Sequence, residues 1–164
     1  MRGLVVRTVV SVSLFLVLAL AACAGGLSQQ QWGLAEEILQ HVNAARTSGR
    51  TCGSSTRPPV ARVSLSSQLI EAAQVHSDDM MAMNELKHTG SDGSTPAQRI
   101  ARTGYRAAAT GENAAWNYNS EAAVVTGWLA SEPHCNSIMS GSYTEIGAAR
   151  AGQYWTLVFA RPRQ

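Results

Sequence analysis

Residues 143–160 read YTEIGAARAGQYWTLVFA. Aromatic and β-branched residues are concentrated in two runs, Tyr143–Arg150 and Gln153–Ala160, with Ala151-Gly152 between them. Such side chains suit a pleated, half-buried surface, and a glycine-bearing dipeptide between two such runs predicts a β-hairpin. Upstream the period changes. Trp32, Leu34, Ala35, Ile38, Leu39, Val42 and Ala45 recur at helical spacing as far as Gly49. Leu69, Ala72, Ala73, His76, Met80 and Met83 do the same. They follow Ser66 or Ser67 as N-cap, with Glu71 early in the helix, and stop near Asn84 to Leu86. Pro96 suits the first turn of a short helix through Arg102, closed by Gly104. Ser120 caps a further helix to Ala130, and Pro133 ends it. Helices first and strands last predict an α+β layer fold.

The intervening segments read as loops. Thr51–Pro59 holds glycine, serines and two prolines, and Lys87–Thr95 contains Thr89-Gly90 and Asp92-Gly93. Gly90–Ser94 has the composition of an ion or phosphate loop, but Asp-Gly and Ser-Gly runs are ordinary turn chemistry. There is no His-Glu-x-x-His, Cys-x-x-Cys or Gly-x-Gly-x-x-Gly pattern and no phosphate loop. A Gly-x-Ser-x-Gly nucleophile elbow is also absent.

The N-terminus has a different composition. Arg2 and Arg7 precede an apolar run ending in Leu20-Ala21-Ala22-Cys23, the pattern of a secretory signal. Val9–Cys23 is short for a membrane span, which needs about 20 residues. With cysteine at its exit the segment resembles a bacterial lipoprotein signal. That resemblance implies cleavage after residue 22, acylation of Cys23, and a membrane-anchored protein of the cell envelope. Ala24, where inner-membrane retention calls for aspartate, implies the outer membrane in a cell that has one. The expected organisation is a signal at 1–22, a lipidated tether at 23–31 and one domain at 32–164. Loss of Arg2 and Arg7 leaves eleven basic residues facing eleven acidic ones, a balance that argues against a nucleic-acid partner. Cys52 and Cys135 remain as a pair, either bridged or two separate buried thiols. An even count in an exported chain favours the bridge.

Four histidines compete for a functional role. His41 falls on the outer face of the first helix, and His76 on an apolar face, where a hydrogen-bonded core histidine is expected. His88 and His134 each open a segment just after a helix, a position where loops carry function. Glu112 precedes the partly apolar Ala114–Trp116, so it is expected to be semi-buried and to need a partner, such as a histidine. Two imidazoles and a carboxylate could hold a divalent cation such as zinc, or could form a hydrogen-bonded network that braces the fold.

An ordered set of short motifs runs through the chain. Val42-Asn43-Ala44-Ala45-Arg46 is followed by Ala73–Met80, Asn84, His88-Thr89-Gly90, Arg99 and Gly104-Tyr105. Then come Gly111-Glu112-Asn113, Trp128, Ser131 with His134, Glu145-Ile146-Gly147, Tyr154-Trp155-Thr156 and Phe159. In this order they resemble the CAP superfamily of cysteine-rich secretory, antigen 5 and pathogenesis-related group 1 proteins, over roughly 41–163. The resemblance implies an α-β-α sandwich with a central antiparallel sheet. It also implies an open cleft lined by two histidines and acidic residues: His88, His134 and Glu112 here. Bacterial members carry Ser-Pro-Gly-His where this chain has Ser131-Glu132-Pro133-His134, so Glu132 either supplies a second acid or faces solvent. The resemblance also pairs Cys52 with Cys135, beside a site histidine.

Two functions follow as expectations. One is a monomeric, lipid-anchored binding module for a small molecule, a lipid, a protein or a divalent cation, with His88 and His134 as the metal ligands. The other is a metal-dependent or acid-base hydrolase acting on peptides or cell-wall polymers. The second lacks an evident nucleophile and a secure second carboxylate for glycoside chemistry.

Overall fold

The computed structural model describes residues 26–164; the expected signal and Cys23 lie outside them. Eleven elements follow in order. They are α1 (Gln29–Ser48), β1 (Arg50–Cys52), β2 (Ser55–Arg57), β3 (Ser64–Leu65), α2 (Ser67–Met83), α3 (Pro96–Arg102), β4 (Ala107–Trp116), α4 (Glu121–Ala130), α5 (Glu132–Ile138), β5 (Glu145–Ala151) and β6 (Tyr154–Pro162).

A four-stranded sheet, ordered β3-β5-β6-β4, is the middle layer. Its three long strands are antiparallel, and the two-residue β3 joins the far edge parallel to β5. The β6 strand is buried on both faces by period-2 alternation. Trp155, Leu157 and Phe159 face a core shared with α1, α4 and α5. Val158 and Ala160 face α2 and α3 with Leu69, Ala72, Ala73 and Ile100. Helices therefore cover both sides of the sheet. Trp128 and Trp155 head the fully buried side chains. Each removes roughly 200 Å² from water, about 5 kcal/mol of transfer free energy as an upper bound.

Two contacts set the spacing of the layers. At Gly147 on β5 a Cβ would stand 2.0 Å from the Leu69 carbonyl carbon and 2.1 Å from the Ile70 nitrogen, so α2 rests its backbone directly on the strand. On the other side Arg46 of α1 is fully buried. Its guanidinium donates to the carbonyls of Ala61, Ile138, Ser140 and Tyr143, tying α1 to the β2–β3 loop, the end of α5 and the α5–β5 loop. Desolvation pulls its pKa below the usual arginine value.

Several boundaries differ from the sequence reading. Helix α1 begins at Gln29, because Ser28 and Gln31 form a capping box, so the expected tether overlaps its first turn. Ser66 stands at the N-cap of α2, but its hydroxyl makes no capping bond and no acid lies in the first turn. Pro133 does not simply end a helix. It occupies the first turn of α5, where its missing N–H costs nothing. The segment expected as loop at 51–59 contains the β1–β2 hairpin. The β5–β6 turn is Gly152-Gln153, one residue later than predicted, since Ala151 pairs with Tyr154 and Gly152 supplies the positive φ. Strand β4 has no counterpart in the sequence reading.

Candidate functional site

The site is built along β4, the free edge strand nearest α3 and α5. Successive residues of a strand point to opposite faces. Glu112 accordingly meets α2 and α3, while Asn113 meets α5.

Glu112 is the hub, with only 2% of its side chain exposed. Its Oε2 accepts from Arg99 Nη2 at 2.7 Å. Its Oε1 accepts from His88 Nδ1 at 2.9 Å and lies 3.4 Å from His76 Nε2. A buried carboxylate needs charge and hydrogen-bond compensation, and Arg99 from α3 supplies both. Arg99 also donates to the carbonyls of Ser94 and His88. It thereby locks the loop carrying His88 against the strand. The same loop is closed by Gly90 N–H to the Ser94 carbonyl and by Ser91 N–H to Asp79. Asp92, bonded to Ser94 and Arg102, is held far below the usual carboxylate range.

His76 is fully buried and its Nε2–H donates to the Lys87 carbonyl at 2.8 Å. Its Nδ1 has no protein partner. Desolvation lowers its pKa, against the partial opposition of Glu112, so burial disfavours the charged ring, which packs beside the carboxylate.

His88 is different. More than half of its side chain, 56%, is exposed. Donation from Nδ1 to Glu112 leaves Nε2 facing outward, and that hydrogen bond raises the imidazole pKa. His134, on α5, is half-buried; desolvation and then the His88 charge lower its pKa. The two imidazoles thus shift in opposite directions, His88 upward through its bond to Glu112 and His134 downward chiefly through burial. Asn113 Nδ2 donates to the His134 carbonyl at 3.1 Å. Cys135 is joined to Cys52 with 5.5 Å between Cα atoms, which holds α5 to β1.

The structure therefore brings His88 and Glu112 into contact, while His134 reaches β4 through its backbone carbonyl and makes no side-chain hydrogen bond or ion pair with either among the described residues. It does not bring Glu132 to them. The Glu132 carboxylate folds over Gly53 in the β1–β2 turn, in the space a Cβ would need. Among the described residues it makes no hydrogen bond or ion pair with His88, Glu112 or His134. Nor is a zinc site of the three-ligand kind assembled. Among the described residues no group of three His, Cys, Asp or Glu side chains is placed to hold a metal. Both Glu112 oxygens are already engaged, which leaves two imidazoles where a catalytic zinc needs three protein ligands.

Two contributors lie outside the expected site set. Arg99 appears in the sequence only as one motif position. His76 reads as core, which it is, yet it also supports Glu112. The α2 periodicity gives the burial of His76. Its contact with Glu112 depends on where β4 lies.

The chain belongs to the cysteine-rich secretory protein family, CAP, whose model matches residues 39–159. It is 32% identical over 91 residues to the uncharacterized membrane protein YlbC of Bacillus subtilis and 29% identical over 93 residues to YkwD of the same organism. Each match takes in 56% of this chain but 26% and 36% of those proteins, so the chain spans only about a quarter to a third of the curated relatives it matches. An extracellular SCP-domain protein of Bacillus anthracis shares the fold over 84% of this chain and 45% of its own, with a TM-score of 0.71 and 23% identity. An outer surface protein of Borrelia burgdorferi does so over 84% of this chain and 98% of its own, with a TM-score of 0.66 and 16% identity.

Proposed function

We propose that this domain is a binding module, held at the cell envelope by acylation of Cys23, that captures a small carboxylate-bearing ligand at His88 and His134. The observation that carries the reading is the bond from His88 Nδ1 to Glu112. It fixes one exposed imidazole on a buried, Arg99-compensated carboxylate, with Nε2 turned outward. Its raised pKa favours the protonated, donating form, which suits an anionic partner. His134, whose burial disfavours the charged form, supplies a second polar group. Muropeptides, the soluble peptide-bearing fragments of the cell wall, have this chemistry and share the compartment.

One feature favours a second reading. Two imidazoles with pKa values moved in opposite directions are a pattern found in acid-base catalysis, so a hydrolase is the alternative. One experiment addresses both. Muropeptides are titrated into the mature chain while the His88 and His134 ring protons are followed by NMR. The expected result is saturable shifts at both rings that vanish in His88→Asn, with the muropeptide masses unchanged. Masses that shorten with time would give the site to the hydrolase, and two silent imidazoles would end the binding reading.

A further inference from the structure

A second feature lies at the far end of the sheet from Trp116. Arg106 at the entry to β4, Arg161 near the end of β6 and Arg163 just beyond it are all exposed. The two chain segments are stitched together by Arg163 N–H to the Arg106 carbonyl at 2.7 Å. None of the three guanidiniums takes part in an ion pair or side-chain hydrogen bond among the described residues. Arg106 and Arg163 line an open hollow of about 550 Å³, and Arg161 and Arg163 line an adjoining one. The acid in the first hollow, Glu145, accepts from Tyr105 at 2.8 Å and offsets one of the three charges. The patch is net positive in a domain whose basic and acidic residues balance as a whole.

The same hollow is lined by Trp32, in the first turns of α1. Cys23 precedes the first residue of α1 by six positions, so the chain between them reaches at most roughly 20 Å. An acyl group on Cys23 would therefore hold the start of α1, and with it the Trp32 side of this hollow, near the bilayer, where charge attraction acts over a Debye length of about 8 Å. The His88–Glu112 pair, on the α2 and α3 face of β4, does not share these residues.

We propose that Arg106, Arg161 and Arg163 form a docking face for the anionic phospholipid headgroups of the membrane that carries the protein. The orientation argument rests on the Cys23 anchor; the charge argument does not. Each arginine near an anionic surface is worth about fivefold in partition, on the order of 100-fold for three. The face sets how the anchored domain stands on the bilayer, while the acyl chains supply the retention.

The test uses the full chain on vesicles carrying a photo-crosslinker in the lipid headgroup. The vesicles are either pure phosphatidylcholine or phosphatidylcholine with phosphatidylglycerol. The expected result is adducts in the peptides spanning 103–108 and 160–164, at least about fivefold stronger on the anionic vesicles. They should fade at high salt and disappear in the triple variant R106Q/R161Q/R163Q, but persist in R50Q. Equal labelling of these peptides on both vesicles, or labelling unchanged in the triple variant, would overturn the proposal. So would full competition by soluble polyphosphate, which would make the partner a free polyanion. Flotation with pure phosphatidylcholine, compared with Cys23→Ser, reads the anchor separately. If that flotation fails, the difference between the two vesicle types still decides the arginine face.

Discussion

Glu112 shows how one buried charge organises its neighbours, and the pH response of the fold follows from them. The His88 pKa lies above its ordinary 6.5 in the folded chain because protonation strengthens the bond to Glu112. Its stabilising contribution is complete below about pH 6.5 and is lost as pH rises through the raised value. His76 and His134 behave oppositely. Burial lowers both pKa values, so the unfolded chain takes up protons first as pH falls below about 6.5 and stability declines toward the lowered values. The imidazoles together predict greatest stability near pH 6.5. Urea midpoints measured at about pH 5.5, 6.5 and 8 should peak at the middle value. His88→Asn should remove the decline on the alkaline side and leave the acid side. A decline on the alkaline side that survives in this variant would show that the His88–Glu112 bond does not produce it.

At the scale of elements, α2 rests its backbone directly on β5 at Gly147. Any side chain at Gly147 would occupy the position of the Leu69–Ile70 peptide, and a packed helix backbone cannot yield as a flexible side chain does. Gly147→Ala should destabilise by about 3 kcal/mol or more, read as a fall in the urea midpoint. Gly33 provides the comparison: a Cβ there meets nothing within 4 Å, and Gly33→Ala in the interior of α1 should gain up to about 1 kcal/mol. The elements also divide by how far local signals reveal them. Helix α2 carries its own apolar period and a terminating Asn84 in the left-handed region. Strand β4 carries neither. Ala107–Trp116 is rich in alanine with Gly-Glu-Asn at its centre, a composition of weak strand preference. It is a strand because β6 offers it a paired edge along its length.

For the whole molecule, the Cys52–Cys135 bridge closes a loop with a sequence separation of 83. In the chain-entropy model that is worth about 4 to 5 kcal/mol. The double variant Cys52→Ser/Cys135→Ser should lose most of this in chemical denaturation, and α5 with His134 should be among the first regions to exchange amide protons. A variant as stable as the parent would show that packing alone holds α5. The helices α1 and α2, the terminal hairpin, the neutral charge balance and the candidacy of His88, His134 and Glu112 could all be read from the chain alone. They rest on local periodicity, on composition and on motif order, which are properties of neighbouring residues. The roles of Arg99 and His76, the withdrawal of Glu132 to Gly53, and the arginine face joining the ends of β4 and β6 could not. Each depends on residues distant in the chain being brought within a few ångströms. Pairing of β4 on β6 and packing of α2 and α3 against the sheet decide that, and no local preference encodes it.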